Sequence, residues 1–187
     1  MIKPRLILLA ALCAGCVACQ SSSNPQPKTN ASSSPKGKPV SAPKGVSSVD
    51  ESGVIRNVKT TAYTQSESDH IVYGAKSAIG NTLKFGEVRS AAADWSVYPV
   101  GTEFKIEGEP YVYQVDDYGS ALVGTETIDL YRPSRASMDS WGARHVNIKV
   151  LKWGSFARSL AIMKPRSGYR HIKQMISKIE TAQVPAS

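Results

Sequence analysis

From Val54 onward the chain is written in short β-prone runs broken by Gly and Pro, and this pattern excludes a helical bundle. Val58, Thr60, Ala62 and Thr64 alternate with residues suited to solvent, as a strand with one buried face requires. The same period recurs at Phe104 and Ile106, at Tyr111, Tyr113 and Val115, and at Val146, Ile148 and Val150. Four strands of an all-β barrel or sandwich are therefore predicted. Ser134 is placed to cap a short helix that runs to Trp141, ends at Gly142 and plugs one barrel mouth. After Trp153, Leu160 and Ile162 predict an edge strand. Beyond Pro165, Tyr169, Ile172, Ile176 and Ile179 recur at helical spacing and predict a basic C-terminal helix.

The first 53 residues have a different composition. Residues 20–53 are Ser, Pro, Lys and Asn with almost no large apolar side chain, too little to offset the entropy of ordering, so a disordered linker is expected. Asn30-Ala31-Ser32 fits a glycosylation sequon, a motif too short to weigh. Ahead of the linker, Lys3 and Arg5 precede an apolar run over residues 6–18, shorter than the roughly 20 residues a membrane-spanning helix needs. The run leads into Ala14-Gly15-Cys16-Val17-Ala18-Cys19-Gln20, which resembles a bacterial lipobox. Cys19 is the best candidate for acylation and Cys16 the second; simple secretory cleavage is the alternative. With Gln20 following, the resemblance implies an outer-membrane anchor facing the periplasm, and the linker would let the domain reach a wall substrate.

All three cysteines, Cys13, Cys16 and Cys19, lie in that leader, so no disulfide, thiol nucleophile or cysteine metal site is expected in the domain. The net charge of +8 is equally uneven. Residues 1–54 carry six basic against two acidic side chains, residues 55–154 eleven against twelve, and residues 155–187 six against one. A nucleic-acid reader keeps its basic patch on the folded module, and this one is near neutral, so nucleic acid is set aside. The acidic residues match no EF-hand spacing, and His70, His145 and His171 show no ligand spacing, so no metal and no cofactor are expected.

Three aspartates stand in or beside loop signals: Asp94 in Ala92-Ala93-Asp94-Trp95, Asp117 in Val115-Asp116-Asp117-Tyr118-Gly119-Ser120, and Asp129 in Thr127-Ile128-Asp129-Leu130-Tyr131. Taken singly, each reads as a turn cap or loop hydrogen bond. Asp129 is distinctive because it sits in an apolar strand-like run, where an isolated carboxylate is costly unless it is paired, hydrogen-bonded or protonated. Glycosidic cleavage uses an acid of that kind, held protonated near neutral pH.

These surroundings resemble the 3D domain, a family named for three aspartates and related to the catalytic part of membrane-bound lytic transglycosylase A and to stationary-phase wall hydrolases. The resemblance runs through Thr61-Ala62-Tyr63-Thr64, Ala93-Asp94, Tyr98-Pro99-Val100-Gly101-Thr102, Asp117-Tyr118-Gly119, Ile128-Asp129-Leu130-Tyr131 and Trp141-Gly142 to the strand at Val146. It implies a mainly β, six-stranded double-psi β-barrel with one or two short helices over residues 54–154, flanked by a leader (1–19), the linker (20–53) and a basic extension (155–187). It further implies a peptidoglycan lytic transglycosylase that cleaves between N-acetylmuramic acid and N-acetylglucosamine. Asp129 corresponds to the family's acid, which protonates the glycosidic oxygen and then takes a proton from the muramic 6-hydroxyl to leave a 1,6-anhydro end. Asp117 and Asp94 would support it, and Tyr63, Tyr118 and Trp95 are candidate sugar-stacking faces. The chain departs from the family at Trp95, where Pro is usual, and at Tyr118, where Thr is common.

The expected partners are thus peptidoglycan strands and, through the anchor, a membrane, with the domain a monomer. Asp117-Tyr118-Gly119-Ser120 also resembles an aspartic-protease loop, but that chemistry needs two such loops to build a carboxylate dyad, and one occurs here. The competing expectation is a non-catalytic wall-binding or wall-loosening module, because a fold of this kind can bind polysaccharide without cutting it.

Overall fold

The computed structural model describes residues 49–66 and 74–183, which lie within one compact unit, 37–187. The leader with Cys16 and Cys19, the linker up to residue 48, the sequon at Asn30 and His70 lie outside the described residues. Six strands form the architecture: β1 (Val54–Tyr63), β2 (Val88–Ala92), β3 (Glu103–Ile106), β4 (Val112–Asp117), β5 (Ile128–Tyr131) and β6 (Arg144–Lys152). They close into a barrel in the order β1-β5-β2-β4-β3-β6. The β1/β5 and β2/β4 pairs are parallel and the other four antiparallel. Closure leaves the sheet no open edge. This is the mainly β, six-stranded barrel that the resemblance implies.

The four alternating runs became β1, β3, β4 and β6, and the run around Asp129 became β5. β2 is the strand that alternation does not reveal. Its sequence, Val-Arg-Ser-Ala-Ala, ends in three consecutive buried residues, Ser90, Ala91 and Ala92, because this stretch lies between β5 and β4 with neither face in water. β1 is long enough to serve two neighbours because it bends. Its register with β6 slips between Ile55 and Val58, where Asn57 takes a φ of 58° and its N–H donates to Asn147 Oδ1 at 3.1 Å. Asn accepts that left-handed backbone better than most residues.

Three helices accompany the barrel. The first, α1 (Arg135–Trp141), is capped by Ser134, whose side chain accepts from the Ser137 N–H, and ends at Gly142 with φ 60°. None of its residues is fully buried, so it does not fill a barrel mouth. It leans on β1 instead, with Trp141 Nε1 donating to Thr60 Oγ1 at 3.3 Å.

The expected edge strand at Leu160 and Ile162 is a helix, α2 (Phe156–Met163). Two local features overrule the weak alternation. Gly154 passes so close to the strand-entry loop that a Cβ there would lie 2.3 Å from the carbonyl oxygens of Pro99 and Val100, and this turns the chain away from β6. Ser155 then caps the new helix by accepting from Arg158 N–H. Ser159 and Met163, four residues apart, are the buried face, and Ser159 Oγ accepts from Val100 N–H at 3.0 Å.

The last helix, α3 (Arg170–Gln183), buries Ile172 and Ile179 of the expected face together with Met175, while Ile176 is half-buried. Those three and Met163 share one apolar cluster with Trp95, Tyr98, Val100 and the barrel side chains, so the core runs on past residue 154.

Candidate active site

The barrel's register lines up the side chains that matter. Thr61 on β1 pairs with Asp129 on β5, Asp129 pairs with Ala92 on β2, and Ala92 pairs with Asp117 on β4. One row across four strands therefore reads Thr61, Asp129, Ala92, Asp117. Two strand spacings place the two aspartate backbones about 10 Å apart, with a methyl group between them. Both aspartates and Ala92 line a cleft of about 970 Å³, and Tyr63 and Tyr118 line it too. An apolar cluster of Tyr63, Leu83, Ala92, Leu122 and Tyr131 lies at this end of the barrel.

Asp117 is the more deeply buried of the pair, with 4% of its surface exposed. Its Oδ1 accepts from the N–H groups of Ala78 (3.0 Å) and Tyr118 (2.9 Å), and its Oδ2 accepts from the Tyr63 hydroxyl at 3.3 Å. Burial outweighs these donors and pushes the carboxyl up to about 6. Burial first, then the neighbouring carboxylates, Asp117 foremost, lift the Tyr63 phenol well above its ordinary range, so it stays a donor. Asp129 is half-buried and accepts from Thr61 Oγ1 at 2.7 Å. The adjacent Asp116 is held by Ser90 Oγ (2.8 Å) and Lys84 Nζ (3.5 Å), and burial raises it as well.

The other two expected site residues are placed elsewhere. Asp94 is fully buried and is not among the side chains lining the cleft. Its Oδ1 accepts from the N–H of Ser96 at 2.8 Å and from the Ser96 hydroxyl, and its Oδ2 accepts from Gly124 N–H at 2.8 Å with Lys178 Nζ 3.6 Å away. It pins two loops and α3 together. Trp95 is also fully buried, so it has no face to offer a sugar. Its Nε1 donates to the Asp117 carbonyl at 2.8 Å, and its ring meets Tyr118 edge-on at 4.8 Å. Trp95 thereby buttresses the chain at Asp117 and Tyr118, a contact that the family's usual Pro has no N–H to make.

Sequence reasoning missed part of the cleft. A tight lobe over residues 75–83, closed by the Ser77 N–H to Asn81 carbonyl and Leu83 N–H to Ala75 carbonyl bonds, brings the Ala78 N–H onto Asp117. Arg166, Tyr169 and His171 form a further wall, joined to this lobe by Arg166 Nη1 donating to the Ala78 carbonyl at 2.9 Å. Tyr169, expected on the apolar face of α3, precedes the helix and is exposed. Among the described residues no group of three His, Cys, Asp or Glu side chains is placed to hold a metal ion.

The family model described as the 3D domain matches residues 89–152. Residues 89–152 form a 3D domain. All three aspartates fall inside it, whereas Thr61, Tyr63 and the wall at Arg166–His171 come from chain on either side. The chain is also 34% identical over 125 residues to the Bacillus subtilis (strain 168) protein named "cell wall shaping protein YabE". That match covers 64% of this chain but 30% of the relative, so the chain spans under a third of that protein's length.

Proposed function

We propose that the cleft binds a glycan strand of the cell wall and cleaves it as a peptidoglycan lytic transglycosylase. The supporting observation is the pair Asp129 and Asp117, set on either side of Ala92 in one cleft, with the Asp117 carboxyl lifted to about 6. Burial disfavours the charged form of Asp117, so this carboxyl retains a proton in mildly acidic conditions beside the more accessible Asp129. A cell-wall role is also in keeping with the name of the Bacillus relative.

In this reading Asp129, the more accessible of the two and oriented by Thr61, donates its proton to the oxygen linking N-acetylmuramic acid to N-acetylglucosamine. As that bond breaks, positive charge grows on the muramic anomeric carbon. The muramic 6-hydroxyl attacks that carbon and gives its proton to the Asp129 carboxylate, which restores the acid and leaves a 1,6-anhydro ring. Asp117 supplies the second carboxyl, which stabilises the developing cation once ionised. No water is consumed, so no carboxylate is needed to activate one.

Mass spectrometry of purified peptidoglycan after incubation with the full chain tests this. Anhydromuramic ends from the wild type, and none from Asp129→Asn, are expected. Reducing ends would mean hydrolysis, and no product with retained sedimentation on sacculi would mean a wall-binding module. The anchor belongs to the same proposal: Cys19→Ser moves the protein from the membrane to the soluble fraction, and unchanged fractionation would remove Cys19 from the account.

A further inference from the structure

One wall of the cleft comes from chain that the 3D domain match does not include. Past residue 152 the chain runs through α2 and a 3₁₀ turn (Lys164–Arg166), and then presents Arg166, Tyr169 and His171 to the same cleft as Asp117 and Asp129. Tyr169 is 61% exposed, a large aromatic ring left in water at the cleft mouth.

The ring is not isolated. Its centroid lies 5.9 Å from His171, His171 lies 6.0 Å from Tyr118, and Tyr118 meets buried Trp95 at 4.8 Å. This file of rings leads from the core behind Asp117 out to solvent. Arg166 fixes the wall to the carboxylate side of the cleft. Its Nη1 donates to the Tyr118 hydroxyl (3.1 Å) and to the Ala78 carbonyl (2.9 Å), and the N–H of the same Ala78 donates to Asp117. The outer rings therefore stand at a set distance from the carboxyl pair, as a subsite flanking a scissile bond must.

We propose that Tyr169 and His171 form a stacking platform for one sugar ring of the glycan strand, in a subsite beside the bond that Asp129 and Asp117 address. This rests on the glycan-cleaving reading above. The C–H face of a pyranose covers an aromatic ring and is desolvated by it, while the ring hydroxyls stay exposed to water. Burial holds the His171 imidazole below its ordinary range, so near pH 7 it meets the sugar as a neutral ring.

Turnover of soluble, uncross-linked glycan strands by the full chain, together with sedimentation on intact sacculi, tests the platform. Tyr169→Ala is expected to raise KM about tenfold with kcat kept within about twofold, the signature of lost binding that is equal in ground and transition states. Tyr169→Phe, which keeps the ring, should stay close to wild type. Unchanged KM and sedimentation in Tyr169→Ala, or a loss in Tyr169→Phe as large as in Tyr169→Ala, would overturn the platform. A wild type that sediments but yields no product would sink the cleavage reading alone. Sedimentation of the Tyr169 variants would then decide the platform by itself. A wild type that neither binds nor cleaves would end both.

Discussion

Two aspartates of the same domain, Asp94 and Asp117, are almost equally hidden from water, yet their surroundings differ. Both oxygens of Asp94 accept short hydrogen bonds, from Ser96 and Gly124, and the Lys178 ammonium stands 3.6 Å away. At Asp117 two backbone N–H groups share one oxygen, and the other oxygen has the Tyr63 hydroxyl at 3.3 Å. Among the described residues no cation lies within ion-pair distance of Asp117. Burial alone therefore does not set a carboxyl's role. The partners of Asp94 tie loops and a helix together, whereas at Asp117 burial outweighs the donors and lifts the carboxyl beside the more accessible Asp129.

The sharpest test sets chemistry against stability. Asp129→Asn keeps an oxygen for Thr61 and should leave the unfolding midpoint nearly unchanged, while anhydromuramic product falls about a thousandfold, within the range of a lost general acid. Asp94→Ala should do the reverse. It removes the acceptor of the half-buried Ser96 N–H and the exposed Gly124 N–H, at about 1 kcal/mol per lost hydrogen bond, so urea denaturation should report a loss of about 2 kcal/mol. The folded fraction should keep most of its activity. An Asp94→Ala protein of normal stability but no turnover would put Asp94 back among the catalytic groups.

That division was only partly legible in the sequence. The barrel was, because β1, β3, β4 and β6 each bury one face and so carry a period of two. β2 was not, since a strand enclosed on both faces has no reason to alternate, and its Ser90-Ala91-Ala92 looks like a loop. The cleft pair could be named from its motifs, yet nothing local in Ala93-Asp94-Trp95 says that this carboxylate meets Gly124 and Lys178, partners 30 and 84 positions away. Trp95 shows the same limit. Its composition suits a sugar face, and only the packing around Asp117 shows that the indole is enclosed. The wall at Arg166–His171 escaped notice because Tyr169 falls on the helical period of the α3 core face without being part of the helix.

A third test uses the elevated carboxyl directly. Asp117 titrates near 6 in the folded state against 3.8 as the ordinary value, so between these pH values the native protein binds more protons than the unfolded chain. Stability must then fall as pH rises through this window, and above about 6 the buried charge is carried in full. At 1.36 kcal/mol per pH unit the cost approaches about 3 kcal/mol, an upper figure because local rearrangement relieves part of it. Asp117→Asn removes that charge. Its unfolding free energy relative to wild type should therefore improve by about 2 kcal/mol on going from pH 4 to pH 7.5. A gap that does not move with pH would mean that the charge of Asp117 is compensated within the folded protein.

The smallest expected effect probes the side chain that, among the described residues, bonds Asp117 from within the cleft. The Tyr63 hydroxyl donates to the ionised carboxylate across 3.3 Å, a long and partial bond that favours the charged form. Tyr63→Phe deletes that donor and leaves the ring against Tyr131, 5.6 Å between centroids, so packing should survive. Without the hydroxyl the Asp117 carboxyl should rise further, by about half a pH unit for a hydrogen bond worth under 1 kcal/mol. Carboxyl NMR of Asp117 across pH 4–8 reads that shift directly. A fall instead of a rise would show that Tyr63 accepts from a protonated Asp117 rather than donating to the carboxylate, and Asp117 would then not be the ionised group that stabilises positive charge on the sugar.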